Sequence, residues 1–488
     1  MRSPARADVA DATRDIANSN TRVRDPLRTA LIAVVAASAV VFYFFATHGT
    51  WLPTHELPAP YSGFFTAQAQ AMVHGHLDVS YQLLNGECYF HNLRCYGYYG
   101  LTPSLLRVPF LPLLDAVHSS LSAVYSTIAL TLTLGASLAC LYRLIAAPRT
   151  LRVRIGVVLV ALALGPASVL VQLTRTAVFE EAIAWSIAFS CLGLYALLRW
   201  WDEMPPKWLA LAVVCFVLSA NSRPTGLVTG AVAGAGVCVH LLARRSGPRG
   251  SCRKNWMLAV ALIILPAVTT VSIFELKFGA PTPNLLSDPG IMQAWWWRDI
   301  LATNGNQTVG LEFVPTALVA YLRPDSVLVS AAFPFVNFHY SGFAPYARAS
   351  YVLLPVGGAY IEPVSSLTSD MPIPCLFVLC GALTALPRAG RALQRLLRER
   401  NPGAVPILLL AALAGSVITV TNVAITNRYV ADLYPFMMLA TGVVFGRLAS
   451  PLEGLHRPMW IGLVILGGIG VAWGLVVNMG LQYRLIWG

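Results

Sequence analysis

Residues 257–274 read MLAVALIILPAVTTVSIF, a stretch without a charged side chain that begins shortly after Arg253 and Lys254. As a helix it would rise about 27 Å, close to the roughly 30 Å of a bilayer's hydrocarbon core. Because backbone polar groups in lipid must be satisfied within their own segment, the run predicts a membrane-spanning helix. Similar runs recur on both sides of it and predict about eleven spans. They lie near residues 30–46, 120–141, 155–173, 182–198, 208–220, 227–242, 257–274, 372–386, 405–424, 430–445 and 460–477.

The composition of the whole chain agrees with a membrane protein. Of its 488 residues, 56% are hydrophobic and 11% are charged, and the mean hydropathy is +0.63. Soluble domains carry about 25% charged residues, so this chain has too few charges to cover a water-facing surface. The apolar runs are continuous rather than alternating, which excludes barrel strands. The predicted fold class is an all-α integral membrane protein with about eleven transmembrane helices.

The basic side chains fall on one side of this arrangement. The loops after the second, sixth and eighth spans hold clusters of arginine, and all lie on the same side as the N-terminus. This is the positive-inside pattern, which predicts a cytoplasmic N-terminus. The net charge of +12 is therefore interpreted as an orientation signal and not as affinity for nucleic acid.

The same topology predicts the domain organisation. Residues 1–29 are expected to form a disordered cytoplasmic tail, residues 30–480 a single transmembrane domain, and residues 481–488 a short extracytoplasmic C-terminus. Within the domain, two extracytoplasmic loops at about residues 48–117 and 275–370 are too long to be simple connectors. We expect the protein in a bacterial plasma (inner) membrane, as a multi-pass protein.

The first long loop combines aromatic side chains with a cysteine pair. Its aromatic residues surround Cys88 and Cys95. They fit either a stacking platform for sugar rings or an interfacial belt at the membrane surface. In this topology the loop faces an oxidising compartment, so the two cysteines either form a disulfide or remain two loop thiols.

Charged residues also lie at the outer ends of spans, where the positive-inside pattern disfavours arginine. The arginines are Arg107, Arg175, Arg223, Arg323 and Arg428. Three acids, Glu180, Glu181 and Asp432, are near Arg175 or Arg428 in sequence. Ionisable residues at membrane level usually face a bundle interior or cavity, and guanidinium groups match phosphate oxygens. The set predicts an outward-facing cavity for a lipid phosphate, with snorkelling or salt-bridged arginines as the alternative.

Several short motifs carry a resemblance to a known superfamily. The first loop contains YSGFFTAQAQAMVHGHL at residues 61–77 and YYGLTPSLLRVP at residues 98–109. The later motifs follow in order: VFEEA at 178–182, SRPTG at 222–226, KFG at 277–279, and Arg428-Tyr429 with Asp432 and Pro435. Their order, spacing and topology resemble the GT-C superfamily of polytopic glycosyltransferases. That superfamily includes protein O-mannosyltransferases, lipid A aminoarabinose transferases and polyprenyl-phosphate-sugar transferases.

The resemblance implies an inverting hexosyl- or pentosyltransferase. It would move a sugar from a polyprenyl-phosphate donor to a cell-envelope glycolipid, polysaccharide or protein on the extracytoplasmic face. The implied partners are the lipid-linked donor and membrane lipid. No cofactor is required, although some members use a divalent cation. The substrate-binding candidates are Arg107, Arg175, Glu180, Glu181, Arg223, Arg428 and Asp432.

The sequence departs from the superfamily at the catalytic acids. These would align near Tyr61 and Ser62, and neither is acidic. The nearest carboxylates are Glu56 and Asp78, and either is suited to take the proton from an acceptor hydroxyl. The alternatives are a solvated loop acid for Glu56 and a turn residue for Asp78. Two other functions stay open: a secondary transporter or lipid-linked glycan flippase, and a non-catalytic envelope assembly subunit.

Overall fold

The computed structural model describes residues 25–54, 62–84, 87–145, 150–243, 249–281, 309–338, 364–385, 403–422 and 425–487. Within these ranges, a bundle of apolar helices coincides with the runs predicted from the sequence. The helices are α1 (Pro26–Ala46), α2 (Ser122–Leu144), α3 (Leu151–Leu164), α4 (Val178–Glu203), α5 (Pro206–Ala220), α6 (Pro224–Ala243), α7 (Arg249–Phe278), α8 (Pro372–Ala385), α9 (Ala404–Val420), α10 (Tyr434–Glu453) and α11 (Arg457–Trp487).

The bundle helices have the length and composition of membrane spans. Among the described residues, eight of them, two counted with an adjoining 3-10 segment, are long and apolar enough to cross a bilayer. The apolar helices α5, α8 and α9 are shorter. The protein is therefore a multi-pass membrane protein, and the total of eleven spans stays a prediction.

Two predicted spans contain a change of helix type. The third span ends as an α-helix at Leu164 and continues as the 3-10 segment Val169–Arg175. Pro166 explains the break, because proline removes a backbone donor and clashes with the preceding turn. The tenth span begins as the 3-10 segment Asn427–Leu433 before α10. A 3-10 stretch within a longer helical segment often marks a hinge or local strain.

Helix α4 lies at the centre of the bundle. In its apolar window 89% of the residues are buried, compared with 17% for α7 and 22% for α11. Close packing against α5 depends on Gly193, where an added Cβ would lie 2.7 Å from a ring carbon of Phe216. The N-terminal turn of α4 is thus held in the middle of one end of the bundle.

That end is covered by the described parts of the two long loops, and we call it the loop end. The first loop forms a helix, Phe64–Val73, and an antiparallel hairpin of β1 (Tyr89–His91) and β2 (Arg94–Tyr96). Cys88 and Cys95 are joined in a disulfide at the base of this hairpin, with 2.11 Å between their Sγ atoms.

The second loop repeats the combination of a short helix and a hairpin. It contains the helix Val314–Leu322 and the antiparallel strands β3 (Val327–Val329) and β4 (Val336–Phe338). Strand β4 packs against Val477 and Leu481 of α11. The expectation of an all-α protein therefore holds for the bundle, but the described loop residues also contain two small hairpins that periodicity did not predict.

Candidate functional site

Four segments meet at the loop end: three supply the charged side chains of the site, and the fourth supplies aromatic side chains. They are the first turn of α4, the turn between α5 and α6, the 3-10 segment Asn427–Leu433, and the first-loop residues 97–100. Acidic residues in the first turn of α4 are favoured there because the positive end of the helix dipole attracts carboxylates.

Arg223 lies in the turn between α5 and α6 and faces Asp432. Its Nη2 is 3.2 Å from Oδ2 of Asp432, and its guanidinium lies 4.6 Å from the centre of the Tyr429 ring. The hydroxyl of Thr419 also donates to Oδ2 of Asp432, at 3.3 Å. The arginine side chain is 18% exposed and the carboxylate only 1%. The acid therefore lies behind the guanidinium.

Arg428 is placed in a similar way near the same Tyr429 ring. Its Nη1 is 4.0 Å from Oε1 of Glu180, and its guanidinium lies 3.8 Å from the centre of the Phe179 ring and 5.9 Å from that of Tyr429. The arginine is 13% exposed and the glutamate 5%. Arg223 and Arg428, here called the arginine pair, thus both lie near one aromatic ring, each with a buried acid behind it.

The two acids each keep one oxygen without a hydrogen-bond partner among the described residues. These atoms are Oε2 of Glu180 and Oδ1 of Asp432. A buried acceptor left unsatisfied costs about 1–3 kcal/mol, so a further hydrogen-bond donor at either oxygen would stabilise the site. No set of three or more His, Cys, Asp or Glu side chains within the described ranges is arranged to hold a metal ion.

Aromatic residues of the first loop close the site beside the arginine pair. The rings of Tyr98 and Tyr99 lie 4.1 Å apart, and Tyr99 contacts Phe179 at 5.7 Å. Burial raises the pKa of both tyrosines well above the usual value, so their hydroxyl groups stay neutral donors. The loop is held by Lys277, whose buried Nζ donates to the carbonyl oxygens of Gly97 at 3.0 Å and Tyr99 at 2.6 Å.

Gly100 brings this loop against the α5–α6 turn that carries Arg223. An added Cβ at Gly100 would lie 1.7 Å from the carbonyl oxygen of Asn221. The backbone N–H of Thr102 donates to the same oxygen at 3.0 Å. Only glycine permits this approach, which fixes the distance between the aromatic loop and the arginine.

Arg107 and Glu181 form a separate, fully buried ion pair. Nη1 and Nη2 of Arg107 lie 2.5 Å and 3.0 Å from the two carboxylate oxygens, and the side chains are 0% and 1% exposed. The guanidinium also donates to the hydroxyl groups of Thr66 and Ser122 and lies 4.0 Å from the ring centre of Tyr125. Its donors face the protein, so we leave this pair out of the proposed ligand contacts and assign it to positioning α4.

The contacts given above for the arginine pair do not include the remaining candidates. Arg175 ends the 3-10 segment Val169–Arg175 and is half-buried. Asp78 lies near the hairpin, 3.5 Å from Arg94 and 3.2 Å from His76. Arg323 pairs with Asp325 at 2.7 Å. Glu56, the other catalytic candidate, lies outside the described residues.

Sequence reasoning missed a buried polar network next to Arg428. Its members come from the two 3-10 segments, the end of the second loop and α11: Gln172, Ser365, Asp370, Asn427 and Asn478. All are nearly or fully buried. The available signal was the presence of amide side chains inside apolar runs, at residues 172 and 478.

Together, the apolar helices define a multi-pass membrane protein, and the likeness to solved structures shows a GT-C-like fold. The apo crystal structure of the Archaeoglobus fulgidus oligosaccharyltransferase is similar to it, with a TM-score of 0.50 and 14% sequence identity. The similarity covers 93% of this chain and 56% of that chain. This chain therefore spans a little over half the length of that enzyme, and the likeness confirms the predicted GT-C fold.

Two further structures from A. fulgidus are similar. AglB in complex with an inhibitory peptide and a dolichol-phosphate has a TM-score of 0.48 and 13% identity, over 93% of this chain and 56% of that chain. The oligosaccharyltransferase complex with Zn and sulfate has a TM-score of 0.48 and 12% identity, over 92% and 53%. No family model matches the sequence, and no curated protein matches it.

Proposed function

We propose that this protein is a membrane glycosyltransferase that moves a sugar from a polyprenyl-phosphate donor to a cell-envelope acceptor. The observation that carries the proposal is the arginine pair around Tyr429, at the ends of membrane helices and within a GT-C-like fold. In this proposal the loop end faces the extracytoplasmic side, as the distribution of basic loops predicts.

The arginine pair is suited to hold the donor phosphate. Guanidinium groups bind phosphate oxygens through paired, charge-assisted hydrogen bonds, and both side chains are partly exposed while their acids are buried. Arg175, half-buried at the end of its 3-10 segment, is a third candidate for the same anion. The lipid chain would then extend between the bundle helices.

Phosphate binding at this point would also promote the reaction. A base takes the proton from the acceptor hydroxyl, the acceptor oxygen bonds to the anomeric carbon, and the bond from that carbon to the donor phosphate breaks. The leaving polyprenyl phosphate gains one negative charge, which fixed guanidinium groups stabilise more strongly than they stabilise the bound donor. Displacement from the opposite face inverts the anomeric centre.

The neighbouring groups fit the sugar and the base. The unpartnered oxygens of Glu180 and Asp432 are suited to accept hydrogen bonds from sugar hydroxyls, and Tyr98 offers an aromatic ring next to Tyr99. Asp78 forms an ion pair with Arg94, with 3.5 Å between Oδ1 and Nη1. We retain both Glu56 and Asp78 as candidates for the base.

A transfer assay tests the proposal. Purified protein in detergent is given a panel of radiolabelled polyprenyl-phosphate sugars and a lipid extract, and label transferred to acceptor is counted. Wild type is compared with Glu56→Gln and Asp78→Asn, which keep side-chain size but cannot take a proton. Transfer lost in one variant alone identifies the base. Folded wild-type protein that transfers label from no donor contradicts the proposal and favours a flippase or an assembly subunit.

A further inference from the structure

In the buried network beside Arg428, the Ser365 hydroxyl makes more short contacts to oxygen atoms than its single proton can satisfy. The Oγ atom of Ser365 lies 2.7 Å from Oδ2 of Asp370 and 2.5 Å from Oδ1 of Asn427. The backbone N–H of Ser365 donates to the same Asn427 oxygen at 2.9 Å, which fixes the orientation of that amide. These two shortest contacts of the hydroxyl therefore each join one oxygen atom to another.

A serine hydroxyl carries only one proton. If the Asp370 carboxyl is ionised, the Ser365 proton points to one of the two oxygens, and the other close contact joins two acceptors. If Asp370 carries a proton on Oδ2, it donates to Ser365, and Ser365 donates to Asn427. Every close contact then contains a proton, and the Ser365 oxygen keeps a lone pair for the Gln172 amide, 3.3 Å away.

We propose that Asp370 is a protonated positioning residue, whose carboxyl proton orders a one-way chain through Ser365 to Asn427 and so fixes the 3-10 segment that carries Arg428. The role in donor binding rests on the proposed function above; the location of the proton does not. Asn427 immediately precedes Arg428 in the chain, so the position of its side chain sets the start of the 3-10 segment.

The surroundings of Asp370 favour a neutral carboxyl. The side chain is 0% exposed, and its Oδ1 has no hydrogen-bond partner among the described residues. An unpartnered oxygen is less costly in a neutral carboxyl group than in a charged carboxylate. The groups that face it from the packed elements are uncharged: Gln172, Ser365, Asn427, Asn478 and the thiol of Cys375. Burial without a cationic partner raises the pKa of Asp370 to about 7.

The network also joins the second loop to both 3-10 segments. The amide of Gln172, in the segment that ends at Arg175, donates to Asn478 of α11 at 2.8 Å, and Asn427 donates to Gln172. Asn478 in turn donates to the backbone carbonyl of Asp370 at 2.8 Å. Ionisation of one carboxyl would therefore disturb the supports of two candidate phosphate ligands.

The first test asks whether Asp370 acts as a hydrogen-bond donor or only fills space in the packed interior. Asp370→Asn places an N–H where the carboxyl proton lies and keeps the chain, whereas Asp370→Ala and Ser365→Ala remove it. We expect wild-type donor KM for Asp370→Asn and a KM raised about fivefold, the equivalent of one neutral hydrogen bond, for the two alanine variants. Ser366→Ala is the matched control, because this adjacent buried serine bonds Ser326 rather than Asn427.

The pH dependence provides the distinguishing readout. In wild type the donor KM should rise as the pH increases through about 7, because ionisation breaks the chain, whereas Asp370→Asn should show no such rise. A merely structural side chain would not produce a difference that depends on pH. Equal losses in Asp370→Asn and Asp370→Ala, or a wild-type KM that stays flat to about pH 9, overturn the inference.

A second measurement is independent of the proposed function. The infrared C=O stretch of a protonated carboxyl should be present below pH 7 in wild type, lost at higher pH and absent in Asp370→Asn. If the band behaves in this way while Arg223→Lys and Arg428→Lys leave the donor KM unchanged, Asp370 is protonated as proposed but the arginine pair does not bind the donor. A wild-type spectrum without the band below pH 7 overturns the inference.

Discussion

Replacing Glu181 by glutamine should destabilise the fold, and by more than the same change at the adjacent Glu180. Glu181 neutralises Arg107 inside the protein, where both side chains are at most 1% exposed. Removing one partner of a buried ion pair costs about 3–5 kcal/mol, because the other charge stays buried without compensation. Glu180 lies 4.0 Å from the partly exposed Arg428, a contact worth much less.

The assay is SDS-induced unfolding in mixed micelles, with the free energy of unfolding measured for each variant. We expect Glu181→Gln to lose about 3–5 kcal/mol, and the double variant Arg107→Met with Glu181→Leu to recover most of that loss, since replacing a whole buried pair is often neutral or stabilising. Glu180→Gln should lose less stability than Glu181→Gln, because its partner Arg428 is partly exposed to solvent. A Glu181→Gln protein as stable as wild type, or a double variant no better than the single one, would refute the reasoning.

Two further predictions concern the aromatic loop. Gly100→Ala should prevent folding or destabilise by more than the usual 1–3 kcal/mol of overpacking, since its Cβ would lie 1.7 Å from the Asn221 carbonyl oxygen, whereas Gly135→Ala, with nothing within 4 Å, should be tolerated in a thermal unfolding assay. Lys277→Met should cost about 1–3 kcal/mol for each of the two buried carbonyl groups it leaves without a donor, provided no water replaces it; equal thermal stability of variant and wild type would contradict that account.

The positions of the helices could be predicted because each one is encoded by a long apolar run within its own segment of the sequence. The sequence also indicated that arginines at the outer ends of spans belong to a site. It associated Glu180 and Glu181 with the nearby Arg175, but packing joins Glu181 to Arg107, 74 residues away, and brings Glu180 to Arg428. Contacts across a bundle depend on which helices become neighbours, which spacing along one chain does not reveal.

Asp432 shows a second reason why the ion pairs in the structure differ from those that the sequence suggested. In an α-helix, residues four apart lie on the same face, so Arg428 and Asp432 look like partners in the sequence. The segment is a 3-10 helix with three residues per turn, which rotates residues four apart by about 120°. Asp432 therefore faces Arg223 instead.

The buried network was beyond prediction for a related reason. Gln172 and Asn478 are amides within apolar runs, and their partners come from segments far away in the chain. These amides come close to Asp370 only when the two 3-10 segments, α11 and the end of the second loop pack together. Sequence spacing contains no signal for that convergence.

The most direct test of the account is the donor dependence of transfer by arginine variants. Arg223→Lys and Arg428→Lys keep the charge that balances Asp432 and Glu180 but lose the guanidinium fork. Losing one charge-assisted hydrogen bond, about 1.5–3 kcal/mol, predicts a fall in kcat/KM for the lipid-phosphate donor of about 10- to 150-fold. Arg323→Lys, whose arginine pairs with Asp325, is the matched control and should transfer as wild type does. Folded Lys variants of the arginine pair that transfer sugar at the wild-type rate would contradict the central claim.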